Sequence, residues 1–494
     1  MFIGIDLGTS GVKAILLDRE GRVRASASAA LSLQHPQPRW SEQAPQAWWE
    51  ATLDALQHVL EQANLAGIPN RVIEAIGLTG QMHGATLLDA DGQVLRPAIL
   101  WNDGRCDVEC RELEAAVPEL HALTGNPALP GFTAPKLLWV RRHEPEIYTR
   151  IAKVLLPKDY LRYRLTGDFA TDPSDAAGTL WLNVAARDWD DRLLAACGLN
   201  RSQMPTLVEG NRITGRLSAA LAEQFGLNQI PVIAGAGDNA AGAIGVGIVQ
   251  PGQAMLSLGT SGVYFAVSDG FSSNPGSAVH SFCHALPATW HLMSVMLNAA
   301  GCLDFTARLC GYADVAALLA DVESHDTGHV PDGPWFLPYL AGERTPHNNV
   351  HAKGVFYGLV PDTQRADLAY ATLEGVGFAL LDGIEALHES GLVPPEITVI
   401  GGGSRSPFWT QMLADIIGRP LTLRAGGEIG PALGAARLAY LALAPALPIE
   451  RVCPMPKVLA VRTPDAARQR VFREQRRPMF QKLYQALEPV FSGT

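Results

Sequence analysis

Apolar positions along the chain follow two periods. Between 44 and 62, Trp48, Ala51, Leu53, Leu56, Val59 and Leu60 recur at helical spacing, behind Ser41 as a candidate cap. The same period predicts helices near 106–116, 134–142, 299–310, 366–389, 406–417 and 430–444. Short apolar runs bounded by glycine or aspartate predict strands. These are Val72–Leu78, continued by Ala85–Leu88, then Ala98–Trp101 and Pro231–Ala234, with others near 254–267, 278–284, 290–295 and 396–400. Strands alternating with helices predict an α/β architecture.

One segment occurs twice. Leu7-Gly8-Thr9-Ser10-Gly11-Val12 returns as Leu258-Gly259-Thr260-Ser261-Gly262-Val263, an offset of 251 in 494 residues. Each copy lies between two apolar stretches, the pattern of a β-hairpin closed by a glycine-rich turn. Repetition at half the chain length predicts two similar domains, 1–245 and 246–494. Glycines let backbone N–H groups converge on an anion, and threonine and serine hydroxyls add donors. Two such turns suit a polyphosphate held across an interdomain cleft. The copies differ where charge matters: Asp6 corresponds to Ser257, and Lys13 to Tyr264. Only the first copy carries a carboxylate, able to hold Mg²⁺ directly or through water. Lys13 is either a phosphate contact or an exposed strand residue.

Composition narrows the class. Apolar residues are 47% and charged residues 18%, as in globular proteins. The net charge of −10 is spread evenly: 22 basic and 28 acidic side chains fall in 1–250, 17 and 21 in the rest. Without a basic block the chain lacks a nucleic-acid footprint. No apolar run is long enough to span a bilayer, and the opening Met1–Asp6 predicts no signal peptide. Seven scattered cysteines, an odd number, predict reduced thiols and a cytoplasmic setting. Cys106 and Cys110 share helical spacing, but no second Cys/His pair follows to complete a zinc site.

Candidate chemistry gathers at predicted strand ends, where open α/β sheets bind ligands. Asp238 stands among glycines and alanines with no basic neighbour, so it is a helix cap, a functional carboxylate, or both. His83 sits in the glycine-bracketed loop Thr79–Gly84, structural or catalytic with equal weight. Trp101, beside Asn102, Asp103 and Arg105, is either a core residue or an apolar wall for a polyhydroxylated ligand. Gly401-Gly402-Gly403 joins a strand to a helix and lets a flat or anionic group lie on the backbone.

Two long stretches carry a family resemblance. Gly131-Phe-Thr-Ala-Pro-Lys136 through Trp139 to His143 resembles the first signature of the FGGY carbohydrate kinases. Gly354-Val-Phe-Tyr-Gly358-Leu359, with Asp367 to Glu374, resembles the second. The resemblance implies two actin-like (ribonuclease-H-like) domains around an interdomain ATP/sugar cleft that closes before transfer. Glycerol kinases of this family carry Arg-Glu where this chain has Met82-His83, and Gly-Asp-Gln where it has Gly237-Asp238-Asn239. Both departures are similar to the branch acting on D-xylulose. They imply ATP-dependent phosphorylation at O5, within D-xylose catabolism. Asp238 is then the base and Asp6 positions Mg²⁺ and the γ-phosphate. Met82, His83, Trp101, Asp238 and Asn239 line the sugar site. The turns Gly8–Gly11 and Gly259–Ser261 hold phosphates, Thr260 directly, and Gly401–Gly403 back the adenosine. The resemblance also implies a homodimer. A kinase for L-ribulose, glycerol or another ketose is the near alternative, and a non-catalytic actin/Hsp70-like ATP-binding module the distant one.

Overall fold

The first hairpin seeds a sheet. In the computed structural model, which describes residues 1–325, 332–425 and 430–491, Phe2–Leu7 pairs antiparallel with Gly11–Leu17, and that strand with Val23–Ala30. On its other side Phe2–Leu7 runs parallel to Ala75–Gly80. Pro231–Ile233 follows in parallel, and Ile213–Arg216 closes that edge antiparallel.

The second hairpin seeds the same sheet again. Gln253–Leu258 pairs antiparallel with Gly262–Ser268, and that strand with Trp290–Met296. On the other side come Glu396–Ile400 and Leu421–Arg424, both parallel, then antiparallel Val458–Arg462. Strand directions therefore run in one order across both sheets, with His280–Cys283 added at an edge of the second. A long helix enters between the third and fourth strands in each half, Pro45–Leu65 in the first and Arg365–His388 in the second.

The central strands are covered on both faces, which explains their nearly unbroken apolar sequences. Along Phe2–Leu7, Ile3, Ile5 and Leu7 pack with Trp48, Leu56 and Val59 of the long helix. The alternate positions, Phe2, Gly4 and Asp6, face the other way. There the helix Gly430–Leu443, from the far end of the chain, lies directly on backbone. A Cβ added to Gly4 would sit 2.0 Å from the Ala432 carbonyl oxygen, and one on Gly77 would sit 1.9 Å from that of Ala435. The other side of the same helix meets the helix Asp238–Gly245, where a Cβ on Gly434 would sit 1.8 Å from the Ala241 oxygen. Arg437 donates from Nη1 to the Ile244 and Gly245 carbonyls at 3.0 and 3.1 Å, satisfying the C-terminal end of that second helix.

Several local expectations shift. The repeat is not exact in space: Leu7 pairs with Val12, but Leu258 pairs with Gly262, so the second turn is one residue tighter. Residues 70–72 form a 3₁₀ turn and the strand starts at Ala75. Thr86–Leu88 leaves that sheet to pair with Lys153–Leu155. The first long helix opens on Pro45, which needs no N–H partner, and Ser41 is not its cap. The Ser41 N–H instead donates to Asp103 at 2.6 Å. Among the described residues no helix is long and apolar enough to cross a membrane.

The glycine contacts are testable. Gly77→Ala should lower unfolding stability in urea by about 3 kcal/mol or more, because its methyl meets fixed backbone. Gly270→Ala, with nothing within 4 Å of the added carbon, should stay within about 0.5 kcal/mol of the parent.

Candidate active site

Two carboxylates meet at the strand ends. Asp6 sits one residue before the end of Phe2–Leu7, with Lys13 as its cross-strand partner. Its Oδ1 is buried and has no hydrogen-bond partner among the described residues. Burial, with Asp238 adding to it and Lys13 opposing, raises its pKa to about 7. Asp238 is the first residue of its helix, and the capping position falls to Gly237. The Gly237 N–H donates to Ser174 Oγ at 3.2 Å, and that hydroxyl donates onward to Asp172. Asp238 Oδ1 accepts from the Asn239 N–H at 2.7 Å and from its side-chain amide at 2.9 Å. Burial raises the Asp238 pKa to about 6 against those bonds.

Asp238 opens onto a cavity of about 250 Å³ that also takes in Met82, His83, Trp101 and Asn239. All five residues singled out for a sugar site are thus brought together. His83 holds a left-handed backbone, φ +69°. Its carbonyl accepts from Thr133 Oγ1 at 3.1 Å and from Lys136 Nζ at 2.9 Å. Its Nδ1 lies 2.6 Å from the Gly178 carbonyl, an acceptor only, so Nδ1 carries the proton and Nε2 is left as an acceptor. Burial, with the Lys136 and Arg344 charges nearby, pushes its pKa down to about 3 and keeps the ring neutral. Trp101 is 41% exposed rather than a core residue, and its Nε1 donates to Thr9 Oγ1 at 2.9 Å.

The opposite wall was not foreseen from sequence. Ser261, His280, Phe282, Met293, Val295 and Arg344 come from the second half. The strands near 278–284 and 290–295 were legible, but not which of their faces meets the first half. Arg344 lies in an irregular segment with no periodicity to mark it.

The residues singled out in the sequence for a nucleotide spread over two further cavities. One, of about 470 Å³, lies wholly in the second half and takes in Gly259, Thr260, Gly402, Gly403, Leu319 and Trp409. The other, of about 290 Å³, takes in Gly401 together with Asp238, Asn239 and Ser257. Gly401, at φ +90°, therefore faces the carboxylate rather than the larger cavity. In each hairpin the turn's own bond takes the first glycine N–H, Gly8 to the Gly11 carbonyl and Gly259 to that of Ser261. The Thr9, Ser10, Thr260 and Ser261 N–H groups have no partner among the described residues, which leaves them as donors. The Thr9 hydroxyl is already engaged, donating to Gln81 at 2.9 Å. Cys106 and Cys110 are buried thiols, and among the described residues no cluster of three metal-ligating side chains exists.

Two matching α/β halves, each centred on a glycine-turned hairpin, with a polar cavity between them, define an actin-like sugar kinase. Models of the N-terminal and C-terminal domains of the FGGY family of carbohydrate kinases match residues 1–245 and 254–443. The chain belongs to that family, whose members use ATP as co-substrate. It is 57% identical over 492 residues to a xylulose kinase of Escherichia coli strain K12, and 54% identical over 497 residues to one of Klebsiella pneumoniae. Both alignments cover 100% of each chain. The crystal structure of a xyloylose kinase from Brucella ovis superposes with a TM-score of 0.94 at 45% identity, covering 99% of each chain.

The raised Asp6 pKa has a stability consequence. Between about pH 4 and 7 the folded chain holds a proton on Asp6 that the unfolded chain has lost, so this group's contribution to stability falls as pH rises. Asp6→Asn should therefore melt at a higher temperature than the parent at pH 8, with the gain vanishing toward pH 4. Calorimetric melts at the two pH values check this, and equal melting at pH 8 contradicts it.

Proposed function

We propose that the chain transfers the γ-phosphoryl group of ATP to O5 of D-xylulose, giving D-xylulose 5-phosphate and ADP. The reading rests on one observation: a neutral-imidazole, carboxylate and amide cavity of sugar size, walled by both halves, with Asp238 shared by the cavity beside the hairpins. Full-length likeness to xylulose kinases supports the substrate. The domain boundary falls between 245 and 246.

A sugar hydroxyl is a weak nucleophile, so transfer depends on alignment and on a base that takes the proton as the new bond forms. Asp238, with a pKa of about 6, is ionised at neutral pH yet basic enough to accept the O5 proton. Asn239 orients the carboxylate through Oδ1 and leaves Oδ2 for the substrate. The neutral His83 offers Nε2 as an acceptor for a sugar hydroxyl, and Trp101 and Met82 pack against the carbon chain. Thr260, Ser261, Thr9 and Ser10 direct backbone N–H groups at the phosphates. Gly402 and Gly403 back the adenosine.

The orphaned, buried Oδ1 of Asp6 fits Mg²⁺, which favours a single protein carboxylate with waters and phosphate oxygens completing the shell. When bound, the ion screens the β- and γ-phosphate charge. Buried free thiols suit a reducing cytoplasm. Asp238 and its sugar-sized cavity favour a kinase over a non-catalytic ATP-binding module.

Asp238→Ala should lower turnover by about 10² to 10⁴ while ADP affinity by calorimetry is retained. In the parent, kcat/KM should fall as pH drops through about 6, because the base must be unprotonated. Near-normal turnover in the variant, or strongest turnover on glycerol or L-ribulose in a coupled ADP-release assay, would contradict the reading.

A further inference from the structure

The sugar cavity contains a cation for which proton transfer has no use. Arg344 lines it together with Phe282, Met293 and Val295. Its Nη1 lies 3.2 Å from His280 Nε2, and His280 Nδ1 lies 3.0 Å from Asn126 Oδ1. The Asn126 amide nitrogen donates to the Thr124 and Ser281 carbonyls at 2.7 and 2.9 Å, which fixes which end of that amide is oxygen. The chain of bonds therefore has one sense. Arg344 donates to His280, and His280 donates to Asn126, across from the second half to the first.

Arg344 feels the Glu343 carboxylate next to it in sequence but makes no close ion pair with it. Among the described residues no carboxylate lies within ion-pair distance of its guanidinium. Glu343, beside it, turns Oε1 to the Leu297 and Arg344 backbone N–H groups, and burial lifts its carboxyl to about 8. A half-buried guanidinium lining a cavity, with spare donors, is costly unless something there accepts from it. His280, which Arg344 meets, stacks on Phe282 at 5.5 Å, and the Phe282 ring lies 6.3 Å from that of His83, so Arg344 stands on the His83 side of the cavity.

We infer that Arg344 reads the C2 carbonyl of an open-chain ketose and so sets a preference for ketoses over the corresponding pentitols. The inference rests on the reading that O5 of a ketopentose is phosphorylated. A ketopentose with O5 free cannot be closed into a furanose, so C2 is a ketone. That ketone lies at the opposite end of the carbon chain from C5. A ketone only accepts hydrogen bonds, and a guanidinium only donates them. A C2 hydroxyl brings a proton as well. Phe282, Met293 and Val295 have no side-chain acceptor for it, His280 Nε2 is already taken by Arg344, and His83 Nε2 serves a neighbouring hydroxyl that ketose and pentitol both carry. An unpaired buried proton of this kind corresponds to roughly a 10- to 100-fold loss.

The test compares kcat and KM for D-xylulose, xylitol and D-arabinitol, by coupled ADP release, in the parent and in Arg344→Met and Arg344→Lys. The parent should favour the ketose about 10- to 100-fold in kcat/KM. Arg344→Met should raise KM for D-xylulose and bring the ketose-to-pentitol ratio toward one, with Arg344→Lys between. ADP affinity reports whether each variant is folded. Pentitols matching the ketose in the parent would overturn the assignment without any variant. So would a variant that loses ketose and pentitols by the same factor, since a residue that merely held His280 in place would act on both alike. If the parent ignores D-xylulose but turns over another ketose, the substrate reading falls. The ratio of that ketose to its own alditol then tests Arg344 unchanged.

Discussion

Ala435 lays its carbonyl oxygen where the side chain of residue 77 would begin, and Gly434 receives Ala241 in the same way on the opposite side of the helix. The helix Gly430–Leu443 is thereby clamped between the first sheet and the helix Asp238–Gly245 with no side chains as spacers. Peptide groups in contact cannot rotate out of the way as side chains do, so spacing here is set by covalent geometry. Asp6 is carried by the strand on one side and Asp238 by the helix on the other. Burial, with the Asp238 charge adding to it, raises the Asp6 pKa, and the spacing of the two carboxylates is sustained because both carriers are held against a common third element.

A second rigid element lies under the base. Lys158 reaches Asp159 at 2.6 Å, Asp172 at 2.9 Å and Asp175 at 3.2 Å, and all four side chains are fully buried. Burial among like charges raises the Asp175 pKa well above the ordinary carboxylate range, which reduces the excess of negative charge on the cluster. Such a group is weak evidence for stability: Asp159 Oδ2, Asp172 Oδ1 and both Asp175 oxygens are buried without a hydrogen-bond partner, so attraction to Lys158 is what holds it. Its output is the bond from Asp172 through Ser174 to the Gly237 N–H, immediately before Asp238, the proposed base.

Sequence disclosed the parts of this molecule that are local or repeated. The two hairpins, the long helices and the loops holding His83, Trp101 and Asp238 were legible because each is encoded in a few consecutive residues. Register was not: identical turn residues close on Val12 in one half and on Gly262 in the other, a difference set by pairing beyond the turn. Nor was the placement of Gly430–Leu443, whose period marks a helix but whose glycines and alanines do not name the backbone they touch. The wall formed by His280, Phe282 and Arg344 depends on contacts more than a hundred residues distant from His83. Trp101 reads more readily as core than as wall, and its 41% exposure overturns that, because an aromatic residue at a strand end is the same in sequence whichever side it faces.

The cavities differ in ownership. The one suited to adenosine belongs to a single half, whereas the sugar cavity needs walls from both. In the proposed reading the adenosine end of a nucleotide can therefore dock at any angle between the halves, but the sugar and the phosphates, which take groups from both, engage fully only at one. On that reading the sugar and the phosphates together gauge alignment: their binding contains the work of bringing the halves together, and the docking of adenosine does not. Water, which spans no such gap, draws the walls together with nothing, so the same division of the binding sites sets transfer apart from wasteful hydrolysis.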